Sequence, residues 1–257
     1  FLDGLRQSGD AARAERVGFM LDLRAHGQRH VYGASAEDGT PLPQVEGRMG
    51  ELQGPALVAF DSATFHPEDF QGLFSFGQGS KKFDPTRTGK FGLGFNSVYH
   101  VTDVPMFVSG DSFVVLDPQK GYYPGLAENP GLEPGSQSVF SSENYEALRD
   151  QFDPFRMECF GCDMRRAATY DGTLFRFPLR TQEQADRYGQ HGLRPGQVYT
   201  PDMVRKQFET FRLDADEKLL FLKHVQSIEL WEWREGEPEQ QCKTLTRQCR
   251  DSPRTMD

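Results

Sequence analysis

The stretch that most constrains this chain runs from Gly79 to Asp103, GSKKFDPTRTGKFGLGFNSVYHVTD. Its first half is polar and basic, with Ser80, Lys81, Lys82, Arg87 and Lys90. Its second half sets Gly89, Gly92 and Gly94 among Phe91, Leu93 and Phe95. Glycines this close let the backbone take positive φ and approach a ligand with no Cβ in the way. Phe95, Val98 and Tyr99 give the following segment a helical apolar face. A glycine-rich turn feeding a helix N-terminus gathers free N–H groups and the positive end of the dipole, which suits a phosphate. Two named phosphate loops are excluded. Walker A needs Ser or Thr after Gly-Lys, but Phe91 follows Lys90. The dinucleotide fingerprint needs Gly-x-Gly-x-x-Gly after a strand, whereas here the spacing is reversed and a polar loop precedes it. A plain tight turn stays open as the alternative.

Around this stretch the chain alternates strands and helices. Residues 1–14 read as a helix with Leu2 and Leu5 inward, weakened by Gly4 and Gly9 at about 1 kcal/mol each relative to Ala. Arg16–Arg24 alternates Val17, Phe19, Leu21 and Leu23, the period of a strand. Residues 25–53 show no period and read as a long surface loop. Gly54–Phe60 is a second apolar strand, followed by a helix start at His66-Pro67-Glu68-Asp69, where Pro and acids suit the first turn. Val104–Ser109 and Ser112–Asp117 read as a hairpin turning at Gly110-Asp111. Pro118–Gln137 reads as loop and Ser141–Phe152 as a helix. Gly172–Arg180 is a strand, Pro201–Leu222 a long helix and Val225–Arg234 a strand with Trp231 and Trp233 on one face. Residues 236–257 are polar, either an edge strand or a frayed tail beyond a main domain of 1–235. This order predicts an α+β fold, a two-layer sandwich whose mixed β-sheet is covered by helices on one face.

Composition narrows the partners. In 257 residues the net charge is −9, against a nucleic-acid-binding surface as the main function. No run approaches the length of a membrane span. Four cysteines do not make a disulfide framework in a chain this long. No leader is visible, and Phe1 reads as a cut point. The expected compartment is cytoplasmic.

Five segments in order, GPALVAFDSATFHPEDFQG, GKFGLGFNSVYHVTDVP, FVVLDP, GTLFRFPLR and FRLDADEKLLFLKHVQSIEL, resemble the sacsin-like repeat domains. These are relatives of the Bergerat-fold ATP-binding family of gyrase and the ninety-kilodalton heat-shock chaperone. The resemblance implies an ATP-binding domain of a chaperone or co-chaperone, with ATP or ADP and Mg²⁺ as cofactors and client or co-chaperone proteins as partners. It places Asp61, at the end of the strand LVAF, where a carboxylate accepts the adenine amino group; the plainer reading is an Asp opening a turn. It places Lys82 and Lys90 in an ATP lid, Gly89, Gly92, Gly94 and Phe95 at the phosphates, and Thr173 on a sheet strand near adenine. Ala63 and Phe65 stand where the family has glycines, so Phe65 is a candidate to block the pocket. A nucleotide-free interaction scaffold is the alternative function.

The first helix departs from the family pattern. Aligned without gaps, Gly4 replaces the general-base Glu and Ser8 replaces the Asn that holds Mg²⁺. Asp3 does not substitute, because one residue turns a helix by about 100°. The expected consequence is weak or absent hydrolysis, with no catalytic residue and Ser8 the sole metal candidate. Cys159-Phe160-Gly161-Cys162 has metal or redox spacing, but no second pair follows at finger-like distance, and Cys242 and Cys249 are too far apart to complete a zinc set.

Overall fold

The computed structural model describes residues 2–33, 47–74, 97–126, 129, 131, 133–140, 142–237 and 240–246. Helix α1 (Leu2–Ala11) leads into strand β1 (Arg16–Asp22). Strand β2 (Ala56–Asp61) is followed by α2 (Pro67–Phe74). Then come the hairpin β3 (Met106–Gly110) and β4 (Ser112–Leu116), β5 (Gly135–Val139), and short helices α3 (Ser142–Ala147) and α4 (Arg149–Phe152). Strand β6 (Tyr170–Pro178), α5 (Gln182–Arg187), α6 (Pro201–Leu220), β7 (Ser227–Trp233) and β8 (Gln240–Thr246) complete it. The strands form one sheet in the order β5-β4-β3-β6-β2-β1-β7-β8. Among the described residues only β1 and β7 pair in parallel, so the sheet is mixed, as expected from the element order.

Alternation along each strand sorts its side chains between two cores. Val17, Phe19 and Leu21 of β1, with Leu57 and Ala59 of β2 and Phe175 and Phe177 of β6, face the helices. Leu2 and Leu5 of α1, Phe70 of α2, and Val204, Phe208 and Phe211 of α6 cover them. The spacing 204, 208, 211 is one helical stripe. Met20, Val58, Phe60 and Leu174 face the other way, under Met49, Leu52, Phe152, Phe155 and Phe160. The second face is therefore also buried, beneath short helical turns and connecting segments. Each fully buried Phe contributes about 1.5–3 kcal/mol, which stabilises segments with little regular structure.

Several elements differ from expectation. Strand β5 begins inside the predicted loop 118–137 and runs two residues past it; Gly-Ser-Gln-Ser has no apolar alternation, and its pairing with β4 makes it a strand. The predicted helix 141–152 is broken at Leu148 into α3 and α4. Helix α5 falls where the sequence reading has no element; Thr181 accepts from the Gln184 N–H while the Gln184 side chain takes the Thr181 N–H, a capping box. Trp231 and Trp233 do share a face, packed against the second core. Residues 240–246 of the polar tail pair with β7 as an edge strand.

Two carboxylates, one half-buried and one buried, fix the elements around the helical face. Asp10, near the end of α1, accepts the N–H groups of Lys223, His224 and Val225 at 2.9, 2.6 and 3.2 Å. Partial burial opposes its charge, but these three donors hold the carboxyl below its ordinary range. Arg180, 2% exposed, bonds Asp103 at 2.7 Å and the carbonyls of Tyr99 and Thr102 at 2.7 and 3.0 Å. It thus locks the 3-10 turn Ser97–His100, which follows the glycine stretch, against the end of β6. The described part of that following segment is this single turn, with Val98 buried as its apolar side.

Candidate functional site

Asp61 ends β2 on the helical face. It is paired in register with Thr173, which is paired in turn with Ser109. One row of polar side chains thereby crosses three strands at the same level. Asp61 Oδ1 accepts the Ala63 N–H at 3.0 Å, the turn geometry of the plainer reading. Ser62 Oγ accepts the N–H groups of Glu15 and Arg16 at 2.9 and 3.1 Å. Thr173 Oγ1 donates to the Ala63 carbonyl at 2.7 Å and meets Ser109 Oγ at 2.8 Å. Ser109 Oγ also accepts the Phe65 N–H at 2.9 Å. The turn 61–65 is thus held at every step, and the proton of the Thr173 hydroxyl is committed within it. Ser109 is the residue that sequence reasoning missed; its signal was only its place beside the hairpin turn, opposite Thr173.

Helix α1 crosses directly above. A Cβ on Gly9 would lie 3.0 Å from Val17 Cγ2 and 3.4 Å from Asp61 Cβ. The glycine that weakens the helix is what lets it approach Asp61. Ser8 and Asp61 line one narrow hollow of about 10 Å³ with Leu5, Val17, Phe19 and Phe175. In this largely apolar surround, burial pushes the Asp61 carboxyl up from 3.8 to about 7, against the pull of the Ala63 N–H. Ser8 Oγ donates to the Gly4 carbonyl at 3.0 Å, the back-bond of a serine inside a helix.

The structure therefore brings together Asp61, Thr173 and Ser8 of the predicted set. Lys82, Gly89, Lys90, Gly92, Gly94 and Phe95 lie outside the described residues. Phe65, in place of a family glycine, directs its ring into the helical core, with centroids 5.0 Å from Phe107, 5.3 Å from Phe70 and 6.1 Å from Phe175. Phe175 also lines the Asp61 hollow, so Phe65 packs against one of the rings that wall it.

For Mg²⁺, the described residues offer the Ser8 hydroxyl, already a donor to Gly4, and no cluster of three His, Cys, Asp or Glu side chains. A magnesium ion is normally held by one or two carboxylates together with substrate phosphates, so these residues do not by themselves fit it. No helix among the described residues is long and apolar enough to cross a membrane.

Residues 1–245 match the family model described as Sacsin domain. Human Sacsin is 35% identical over 235 residues, covering 90% of this chain and 4% of its own length. The chain thus corresponds to a small part of that relative. A match running from α1 through β8, taking in the Asp61 strand and its Thr173 partner, shows that the chain belongs to the Sacsin domain family.

Proposed function

We propose that this domain binds an adenine nucleotide and turns it over weakly or not at all, as one module of a larger cytoplasmic chaperone-related protein. The observation that carries the reading is Asp61. It is a carboxyl at the end of an interior strand, in an apolar surround, with one backbone N–H as its partner among the described residues. A second acceptor oxygen facing a hollow suits an exocyclic amine, and such a donor favours the ionised carboxylate that burial disfavours. Weak turnover follows from α1. Gly4 carries no side chain to orient water, and the Ser8 proton is engaged with it. No step is routed through Mg²⁺, whose site the described residues do not build.

A second reading, a scaffold that keeps the fold without the nucleotide, draws on the size of the hollow. About 10 Å³ admits no more than about one water molecule, so adenine enters only if α1 moves off β2. Titration calorimetry with ATP and ADP, with and without Mg²⁺, separates the two. The nucleotide reading expects heat in the wild type and none in Asp61→Leu. No heat and no thermal shift at millimolar nucleotide would reject it in favour of the scaffold. Phosphate release well above background would refute the expected lack of turnover.

A further inference from the structure

The Cys-x-x-Cys segment lies on the sheet face opposite Asp61, and the proposed nucleotide reading makes no use of it. Cys159 and Cys162 are both thiols. A 3-10 turn over Glu158–Phe160 ends at Gly161, whose φ of 70° and ψ of 17° are left-handed. The Cys162 N–H bonds the Met157 carbonyl at 2.9 Å and the Gly161 N–H bonds the Glu158 carbonyl at 3.0 Å. These are the two bonds of a Schellman closure. The return bond from the Met157 N–H to the Cys162 carbonyl, at 2.8 Å, pins the loop from the other side. Three-residue spacing inside such a closed turn sets the two Cα atoms on the order of 6 Å apart, within the range that a disulfide spans. Burial first, then Cys162, Asp61 and Cys159 in that order, hold up the ionisation of the Tyr170 hydroxyl. That hydroxyl donates to the carbonyl of Phe160, between the two cysteines, at 2.8 Å.

We propose that Cys159 and Cys162 are a reversible thiol–disulfide pair, oxidised by low-molecular-weight disulfides of the glutathione class. The roles divide by exposure. Cys159 is half-buried, whereas Cys162 is 1% exposed and faces a cavity of about 380 Å³ lined also by Glu158, Met164 and Tyr170. Burial, with Asp163 adding to it, raises the Cys162 thiol to about 12, so it does not initiate. The Cys159 thiolate attacks one sulfur of glutathione disulfide; that S–S bond breaks and one glutathione thiolate leaves. Cys162 then gives its proton to solvent and attacks Cys159 Sγ, and the second glutathione leaves. Two protein thiols are oxidised by two electrons and one glutathione disulfide is reduced to two thiols. Phe160 reports the change, because its ring stacks on Phe60 at 5.0 Å and meets Trp231 edge-on at 6.2 Å.

The test uses the full chain with Cys242→Ser and Cys249→Ser, equilibrated in mixtures of reduced and oxidised glutathione, quenched with N-ethylmaleimide and weighed intact. As oxidised glutathione rises, the expected product carries no maleimide, is lighter by two hydrogens and shows altered Trp fluorescence. Cys162→Ala is expected to stop at a single glutathione adduct on Cys159, and Cys159→Ser to give neither adduct nor internal bond. Two maleimides at every ratio, or separate adducts on both cysteines without an internal bond, would overturn the proposal. The parent protein decides alone if the Cys162 variant does not fold.

Discussion

The carboxyl of Asp61 makes stability depend on pH in an unusual direction. In the unfolded chain it ionises near 3.8; in the folded domain burial lifts it to about 7. Between those values the native state keeps a proton that the unfolded state has lost, so unfolding releases protons and stability falls as pH rises. Below 3.8 both states are protonated and the group contributes nothing; above about 8 both are ionised and the loss is complete. The rise corresponds to about 4 kcal/mol for carrying the charge in its apolar surround, and the partial exposure of Asp61 to solvent makes about 2 kcal/mol the lower end. Asp61→Asn keeps the acceptor for the Ala63 N–H and removes the ionisation. Its stability relative to wild type is expected to be level near pH 4. The variant should then gain steadily to about 2–4 kcal/mol by pH 8, within that limit. Urea denaturation of both proteins from pH 4 to 8, followed by Trp231 and Trp233 fluorescence, measures the difference. A difference that stays constant across pH 5–8 would show that Asp61 titrates as an ordinary surface carboxylate, and the argument from its burial would fail.

Arg180→Met leaves Asp103 buried without its ion-pair partner, with the Tyr122 hydroxyl at 3.4 Å as its other contact, and the Tyr99 and Thr102 carbonyls without this donor, so a loss of about 3–5 kcal/mol is expected in chemical denaturation. A loss under 1 kcal/mol would mean that the turn 97–100 is held by other contacts. Asp10→Ala removes the acceptor for three N–H groups at 223–225 and should cost about 1–2 kcal/mol, as loss of a helix cap does. Hydrogen exchange at Lys223–Val225 should quicken with it, and unchanged exchange there would contradict the clamp. Gly18→Ala drives a methyl to 2.4 Å from the Phe160 ring, which is trapped on Phe60, so about 1–3 kcal/mol of destabilisation and a shift in Trp231 emission are expected.

Much of this protein follows from local pattern. The alternation of Val17, Phe19 and Leu21 dictates a strand with one face toward helices. The stripe Val204, Phe208, Phe211 dictates the helix that covers it, and LVAF followed by Asp61 dictates a carboxyl at a strand end. The family resemblance added Thr173 as its neighbour. Other features arise only when distant segments meet. Residues 135–139 are a strand because β4 offers them backbone partners, not because Gly-Ser-Gln-Ser carries any period. Ser109 joins the site because registers β2–β6 and β6–β3 align it with Thr173 and Asp61. Gly9 reads as a flaw in a helix until that helix is laid over Val17 and Asp61, where a Cβ would crowd them. The proton affinity of Asp61 is likewise set by packing: sequence supplies the carboxyl, but only the apolar walls contributed by α1, β1 and β6 remove the water that would keep it an ordinary acid.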